Sequence, residues 1–314
     1  IEEAFSSNLW KDIENASISG GEPTTRNDLV DIARVMIDKF PKLRKLTLNT
    51  TGITHHRAIP MLTKIVELCN ERNVIFSTRV SIDGVNEMHG SVRNVRNAFE
   101  KAGKTIAAMQ ELQKTHRFNF GISSTIFSKN LEDADNILAW AKKEKLDIVF
   151  NMVRFTDAML GNADLEKGMK PIGAEEQKMR KFFLDRVRQD PLLDGQNYIY
   201  MHYADMIANG YHRTAPCPFM TQGIMLNPNG DLFFCENSDV IGNVTTDDPE
   251  AIYFREAAQQ HRKHIRDEKC PTCLSPCQMN VAAIKQVMPY ARFLVRASME
   301  KRRSGIDTVA AQPA

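Results

Sequence analysis

The 314-residue sequence predicts an α/β fold, parallel strands with barrel-like closure, and a small hairpin-plus-helix domain at its C-terminal side. Three observations carry this. Short β-branched apolar runs alternate with longer helical runs through the first half, the pattern changes character from Thr214, and five of the six cysteines fall between Cys217 and Cys277. Alternating strands and helices imply parallel strands joined by right-handed crossovers, hence a doubly wound sheet or a barrel, with barrel-like closure preferred. In a barrel, chemistry gathers at the carboxyl ends of the strands.

The first strand is expected over 16–19, directly before Gly20 and Gly21. Leu29, Ile32, Ala33, Met36, Ile37 and Phe40 then recur at three-and-four spacing, one face of a helix. A strand over 43–49 leads to a helix carrying Met61, Leu62, Ile65, Val66 and Leu68. Strand 74–81, helix 98–112, strand 119–126, helix 133–140 and strand 147–155 repeat the unit. A Gly- and Pro-containing loop over 157–173 ends the alternation. A charged helix over 175–190 follows, then one over 197–209 in which Tyr200 and Tyr203 share a face and read as packing. Gly223 to Phe234 reads as a hairpin turned by Asn227-Pro228-Asn229-Gly230. Helices over 249–267 and 279–301 close the chain, and the tail after Gly305 is expected to be disordered. The expected organisation is a barrel over 1–160, connecting helices over 161–213, a cysteine domain over 214–304 and a tail over 305–314, with the boundary near 205–215.

Lys and Arg number 41 against 39 Asp and Glu, a formal charge of +2, and the one dense basic run is Lys301-Arg302-Arg303. A nucleic-acid partner is not expected without a basic face. No apolar run approaches the roughly 20 residues that span a bilayer, so the expectation is a soluble, cytoplasmic protein without a membrane partner. The chain opens at Ile1 without methionine and enters a helix at once, so an upstream segment is expected.

A chain of this size buries enough surface to need no disulfide staples, which frees its cysteines for chemistry. Cys69 sits alone on an apolar helix face and reads as core. Cys270-Pro271-Thr272-Cys273 has metal-knuckle spacing, and Cys235 ends a hairpin strand, so four thiolates can converge with Cys217. Structural zinc and an iron-sulfur cluster both fit; the spacing alone leans to zinc.

Ser19-Gly20-Gly21-Glu22-Pro23 lies between a strand and a helix. Two glycines admit a ligand close to the backbone, and the carboxylate suits a cationic amine; a plain turn fits equally. Ser81-Ile82-Asp83-Gly84 ends a later strand, with Arg93 at the next helix able to clamp a carboxylate. A capping network with a surface ion pair is the alternative there. Asn49-Thr50-Thr51-Gly52 adds polar groups at the intervening strand end. His55, His56 and His89 read as solvent-exposed.

In this order at successive strand ends, Gly20-Gly21-Glu22-Pro23, Ser81-Ile82-Asp83-Gly84 and Arg93 resemble the radical S-adenosylmethionine (SAM) enzymes, and the resemblance implies their partial (β/α)6 TIM-like barrel. Cys217, Gly230-x4-Cys235 and Cys270-x2-Cys273 are similar to their auxiliary-cluster extension, called SPASM or, when shorter, twitch. The resemblance covers residues 16–277. It implies that Glu22 with the backbone at Gly20, Gly21 and Pro23 receives the SAM amino group, Ser81 the ribose and Arg93 the SAM carboxylate. Asp83 and Asn49 belong to the same rim, and Ser123 or Ser124 and the strand around Asn151 would line the adenine. Cys217, Cys235, Cys270 and Cys273 would hold one auxiliary 4Fe-4S cluster, leaving Cys277 as hydrogen-atom donor, alternative ligand or bystander. Arg154 would position a substrate hydroxyl or form an ion pair.

The family's Cys-x3-Cys-x2-Cys loop, which holds the SAM-cleaving 4Fe-4S cluster, does not occur in these residues and is expected upstream of Ile1. The implied activity is hydrogen abstraction by a 5′-deoxyadenosyl radical from a small-molecule or peptide substrate, most simply a net oxidation, with an electron donor such as flavodoxin or ferredoxin. Epimerisation, peptide maturation, or a non-radical barrel with a structural zinc knuckle are the alternatives.

Overall fold

The computed structural model describes residues 1–156, 161–215, 217–275 and 287–303. They form two compact units, one of Ile1–Asn151 with Val244–Ala251, the other from Met152–Asn243 and from Ile252 onward. The helices expected as a connector over 161–213 thus group with the C-terminal region.

The first unit contains five strands, β1 (Asn15–Ile18), β2 (Lys45–Thr50), β3 (Ile75–Ser81), β4 (Asn119–Ile126) and β5 (Ile148–Met152), ordered in the sheet as in the sequence. β1 to β4 pair in parallel, and Ile122 N–H donates to Asp147 O (2.7 Å) where the chain enters β5. Between the strands run α1 (Leu29–Lys39), α2 (His55–Glu71), the short α3 (Glu87–Arg93), α4 (Ala98–Leu112) and α5 (Ala134–Lys143). A doubly wound sheet reverses its strand order at a switch point. This sheet does not, and uniform right-handed crossovers then put the helices on one face, as in a barrel-type sheet. The observed fold is an open five-stranded parallel sheet with flanking helices.

Parity along the strands follows from that layering. Leu46, Leu48, Phe76, Val80, Ile122 and Ile126 are buried with Leu62, Ile65 and Ile106 of the helices. The alternate residues, Asn49, Ser77, Arg79, Ser81 and Ser123, are half-buried or exposed and make a polar face. Cys69 is buried on α2 as expected, and burial pushes its thiol up to about 12.

The second unit contains α6 (Glu166–Met169), α7 (Ala174–Gln189) and α8 (Gly195–Ala208), followed by a three-stranded antiparallel sheet of β6 (Met225–Leu226), β7 (Asp231–Phe233) and β8 (Gly242–Asn243). Tyr198, Tyr200 and Tyr203 are buried on α8, and the Tyr203 ring packs 5.0 Å from that of Phe183 on α7. The hairpin turns at Asn227, whose Oδ1 accepts from the N–H groups of Asn229 and Asp231 (both 2.9 Å), with Gly230 at φ +87°. The helix expected over 249–267 is broken by the extended backbone of Arg255 (ψ 146°) into α9 (Pro249–Phe254) and α10 (Glu256–His264), and then widens to a π-helix over Ile265–Lys269. α11 (Val287–Arg303) is the last described helix. The tail expected over 305–314 lies outside the described residues.

Candidate cofactor sites

The strand ends of the first unit carry the first site. Gly20 has φ +147°, a conformation that favours glycine, and neither it nor Gly21 has an atom within 4 Å of where a Cβ would stand. The loop is therefore an open cradle. Glu22 turns its side chain inward and begins the 3₁₀ turn Pro23–Thr25. Its Oε1 accepts from Thr24 N–H (3.1 Å), Thr24 Oγ1 (2.7 Å) and Thr50 Oγ1 (2.7 Å), and Oε2 accepts from Thr51 N–H and Thr51 Oγ1 (both 2.6 Å). Burial is the largest single influence on this carboxyl and raises its pKa, but the bonds from Thr51, Thr24 and Thr50 together hold it below its ordinary value. Asn49, named from sequence, is exposed; Thr50 and Thr51 beside it make the contact.

At the end of β3, Asp83 is nearly buried. Its Oδ1 accepts from Thr125 N–H (2.8 Å) and its Oδ2 pairs with Arg93 Nη2 (2.6 Å). Burial pushes the Asp83 carboxyl up, and the Arg93 charge and the Thr125 N–H act against it. Asn130, which sequence reasoning missed, is fully buried and donates to Asp83 O (3.0 Å) and Thr125 O (2.8 Å). His89 corrects the expectation of an exposed imidazole. It is fully buried, its Nδ1 accepts from Asp83 N–H (3.1 Å), and burial with the nearby Arg93 charge lowers its pKa to about 4, so the ring is neutral.

Ser81 and Ser123 are register partners on the polar face. Ser124 points to the opposite face, fully buried, and its Oγ has no hydrogen-bond partner. The two serines left open in the sequence thus stand on opposite sides of β4. Asn151 is half-buried on β5. Arg93 Nε is also buried without a partner, so its N–H is not used by the pairing with Asp83. The open glycine backbone, the Ser81–Ser123 pair and this spare donor fit the cationic and anionic ends of an amino-acid cofactor.

The second unit carries the thiol site. Cys217 precedes the 3₁₀ turn Pro218–Met220, Cys235 follows β7, and Cys270 opens the 3₁₀ turn Cys270–Thr272 that Cys273 closes. All four are free and line one recess with Phe219, Met220, Met225, Phe234 and Ile265. Burial pushes the Cys235 thiol up to about 12 and the Cys270 thiol up to about 11, and raises Cys273 as well. Such thiols ionise when a metal takes their protons' place. Among the described residues, no three ligand-type side chains stand together as a single ion would require.

Two arginines tie the cysteine-bearing segments to one another. Arg213 donates from Nε to Ala215 O (2.7 Å) and from Nη1 to Ser275 O (2.7 Å) and Cys273 O (3.3 Å), while its backbone N–H donates to Pro271 O (2.7 Å). Arg154 Nη1 meets Glu236 Oε1 (2.5 Å), next to Cys235, and Ser275 Oγ (2.9 Å), two residues past Cys273. Of the two roles expected for Arg154, the ion pair is the one observed, and it joins the Cys235 and Cys273 turns. Cys277 lies outside the described residues.

Residues 217–278 match the SPASM domain, described as an iron-sulfur cluster-binding domain. That stretch is a SPASM domain. The AdoMet-dependent heme synthase of Methanosarcina barkeri is 35% identical over 127 residues, 40% of this chain and 32% of that protein. The chain thus spans about a third of the length of this relative. The chain is thus similar to a SPASM domain over residues 217–278 and, over 40% of its length, to a protein whose name states dependence on AdoMet. No described helix is long and apolar enough to cross a membrane.

Proposed function

We propose that the protein is a radical SAM enzyme whose SPASM domain holds one auxiliary 4Fe-4S cluster, and that it oxidises a small-molecule or peptide substrate by hydrogen abstraction. The recess ringed by Cys217, Cys235, Cys270 and Cys273 carries this reading. A zinc ion draws its sulfurs to about 2.3 Å from one centre. The match of residues 217–278 to an iron-sulfur cluster-binding domain favours a cage several atoms across. When bound, SAM and its cleaving cluster supply the radical, and an auxiliary cluster supplies an acceptor for the second electron. The 314 residues contain no Cys-x3-Cys-x2-Cys run, so the ligands of a SAM-cleaving cluster are not among them.

The chain's own residues take these roles. Glu22, saturated by five donors, holds the loop so that the Gly20–Gly21 backbone meets the SAM amino group. Arg93, oriented by Asp83, offers N–H groups outside that pair to the SAM carboxylate, and Ser81 and Ser123 serve the ribose and adenine side, with Asn151. Arg154 keeps the cysteine turns in register, and Cys277 is a donor only in an epimerase. A tetrapyrrole is the first small molecule to test, because the relative is named a heme synthase. Reduction would come from a flavodoxin- or ferredoxin-type partner.

Anaerobic reconstitution followed by metal analysis tests the reading. Iron and sulfide bound in equal amounts, about four of each per chain for the auxiliary site, support it. Zinc uptake without sulfide would replace it with a structural knuckle. Calorimetry on the full-length protein should show Ser81→Ala weakening SAM binding by roughly 1 kcal/mol, the usual value of a hydrogen bond. Unchanged affinity would remove Ser81 from the site.

A further inference from the structure

Of the four cysteines, Cys273 receives a hydrogen bond from a side chain. Asn237 Nδ2 donates to Cys273 Sγ at 3.2 Å, a normal length for a sulfur acceptor, and Ser275 N–H approaches the same sulfur at 3.4 Å. The two donors differ in kind. The Ser275 bond is made by backbone, so any non-proline residue there supplies it, whereas the Asn237 bond depends on the side chain.

The position of Asn237 is closely determined. It is the third residue of a turn closed by Ser238 N–H to Cys235 O (3.0 Å). Its predecessor Glu236 is buried and held by Arg154, which also bonds Ser275 Oγ (2.9 Å) across the site. Arg213 fixes the facing segment through the carbonyls of Cys273 and Ser275. With both turns anchored, the amide has little freedom to leave the sulfur.

We infer that Asn237 is a positioning residue that sets how readily a cluster held by these four cysteines takes up an electron, an inference that rests on the iron-sulfur reading above. The physical reason is charge. Reduction adds a negative charge shared by the cluster and its thiolates, and an N–H aimed at a thiolate sulfur stabilises the more negative state more than the less negative one. Outer-shell donors also orient the ligand they touch. Asn237 acts through Cys273 and needs no contact with substrate.

The test uses the 314-residue chain reconstituted anaerobically with iron and sulfide, as wild type, Asn237→Ala and Asn237→Asp, with redox titration followed by electron paramagnetic resonance. Wild type and variants should bind the same iron and sulfide. The equilibrium for one-electron reduction should fall about tenfold in Asn237→Ala, which is about 59 mV for one electron, and further in Asn237→Asp, where a carboxylate faces the sulfur. Potentials within about twofold of wild type in equilibrium constant, in whichever variant loads, overturn the inference. So does failure of both variants to load when wild type does, because Asn237 would then serve assembly instead of tuning. A wild type that takes zinc and no sulfide sinks the cluster reading itself, and this inference with it.

Discussion

Glu22 and Cys235 each sit in a turn just after a strand and each is half-buried, yet the fold treats them oppositely. Glu22 meets five donors supplied by the chain, and they outweigh the cost of its burial. Cys235 has its thiol pushed up to about 12 by burial, with neighbouring cysteines adding to the rise. A polar site whose partners are all protein groups is formed before any ligand arrives. A thiol site of this kind becomes charged only when a metal arrives, so that part of its stability belongs to the loaded state.

The comparison breaks first at Arg93. Replacing it with Ala leaves the Asp83 carboxylate buried beside one remaining donor and should cost about 3 kcal/mol, in the range for a buried pair that loses one partner. Urea denaturation measures it. Adding Asp83→Asn to that variant should return much of the loss, because the buried charge is gone while Thr125 N–H keeps an acceptor. No recovery would mean that Arg93 stabilises by packing.

Next in size is the response to loading. Iron and sulfide should slow amide exchange across the 213–275 segment by on the order of 100-fold and leave the β1–β4 sheet unchanged. Equal protection in both regions, seen by hydrogen-exchange mass spectrometry, would erase the distinction drawn between them.

Glu22→Gln sharpens the other side. At neutral pH the amide keeps one acceptor oxygen and should cost about 1–2 kcal/mol. Because the folded carboxyl titrates below its ordinary 4.5, its contribution is present above that value and is lost as pH falls through the lower folded pKa. The stability gap between wild type and variant should therefore close on acidification below 4.5. A constant gap down to acid unfolding would show that shape, not charge, is what Glu22 supplies.

The smallest effect is expected at Ser124→Ala, which removes a buried hydroxyl without a partner and should change stability by less than about 0.5 kcal/mol. SAM affinity should be untouched, in contrast to Ser123→Ala on the polar face. Loss of affinity in the Ser124 variant would reverse the assignment of the two faces.

Much of the fold was legible because its signals are local. The alternation of apolar runs marked all five strands, and helix 98–112 and strand 119–126 have the bounds read from sequence. The break at Arg255 escaped because the charged, helix-favouring residues on both sides continue a helical pattern across it. His89 was misplaced because a seven-residue helix carries too little periodicity to show which face is buried.

By itself, the sequence determined the order of strands and helices, the residues at the strand ends, and the four cysteines with their spacing, since each is a matter of neighbours along the chain. Only the tertiary structure decided which partners those residues meet. The Thr50 and Thr51 hydroxyls reach Glu22 from 28 and 29 residues away, Arg154 reaches Ser275 from 121, and β-strand parity separates Ser123 from Ser124. Hydrogen bonds and ion pairs depend on distance in space, and parallel crossovers bring together residues that the chain keeps a whole strand-helix unit apart.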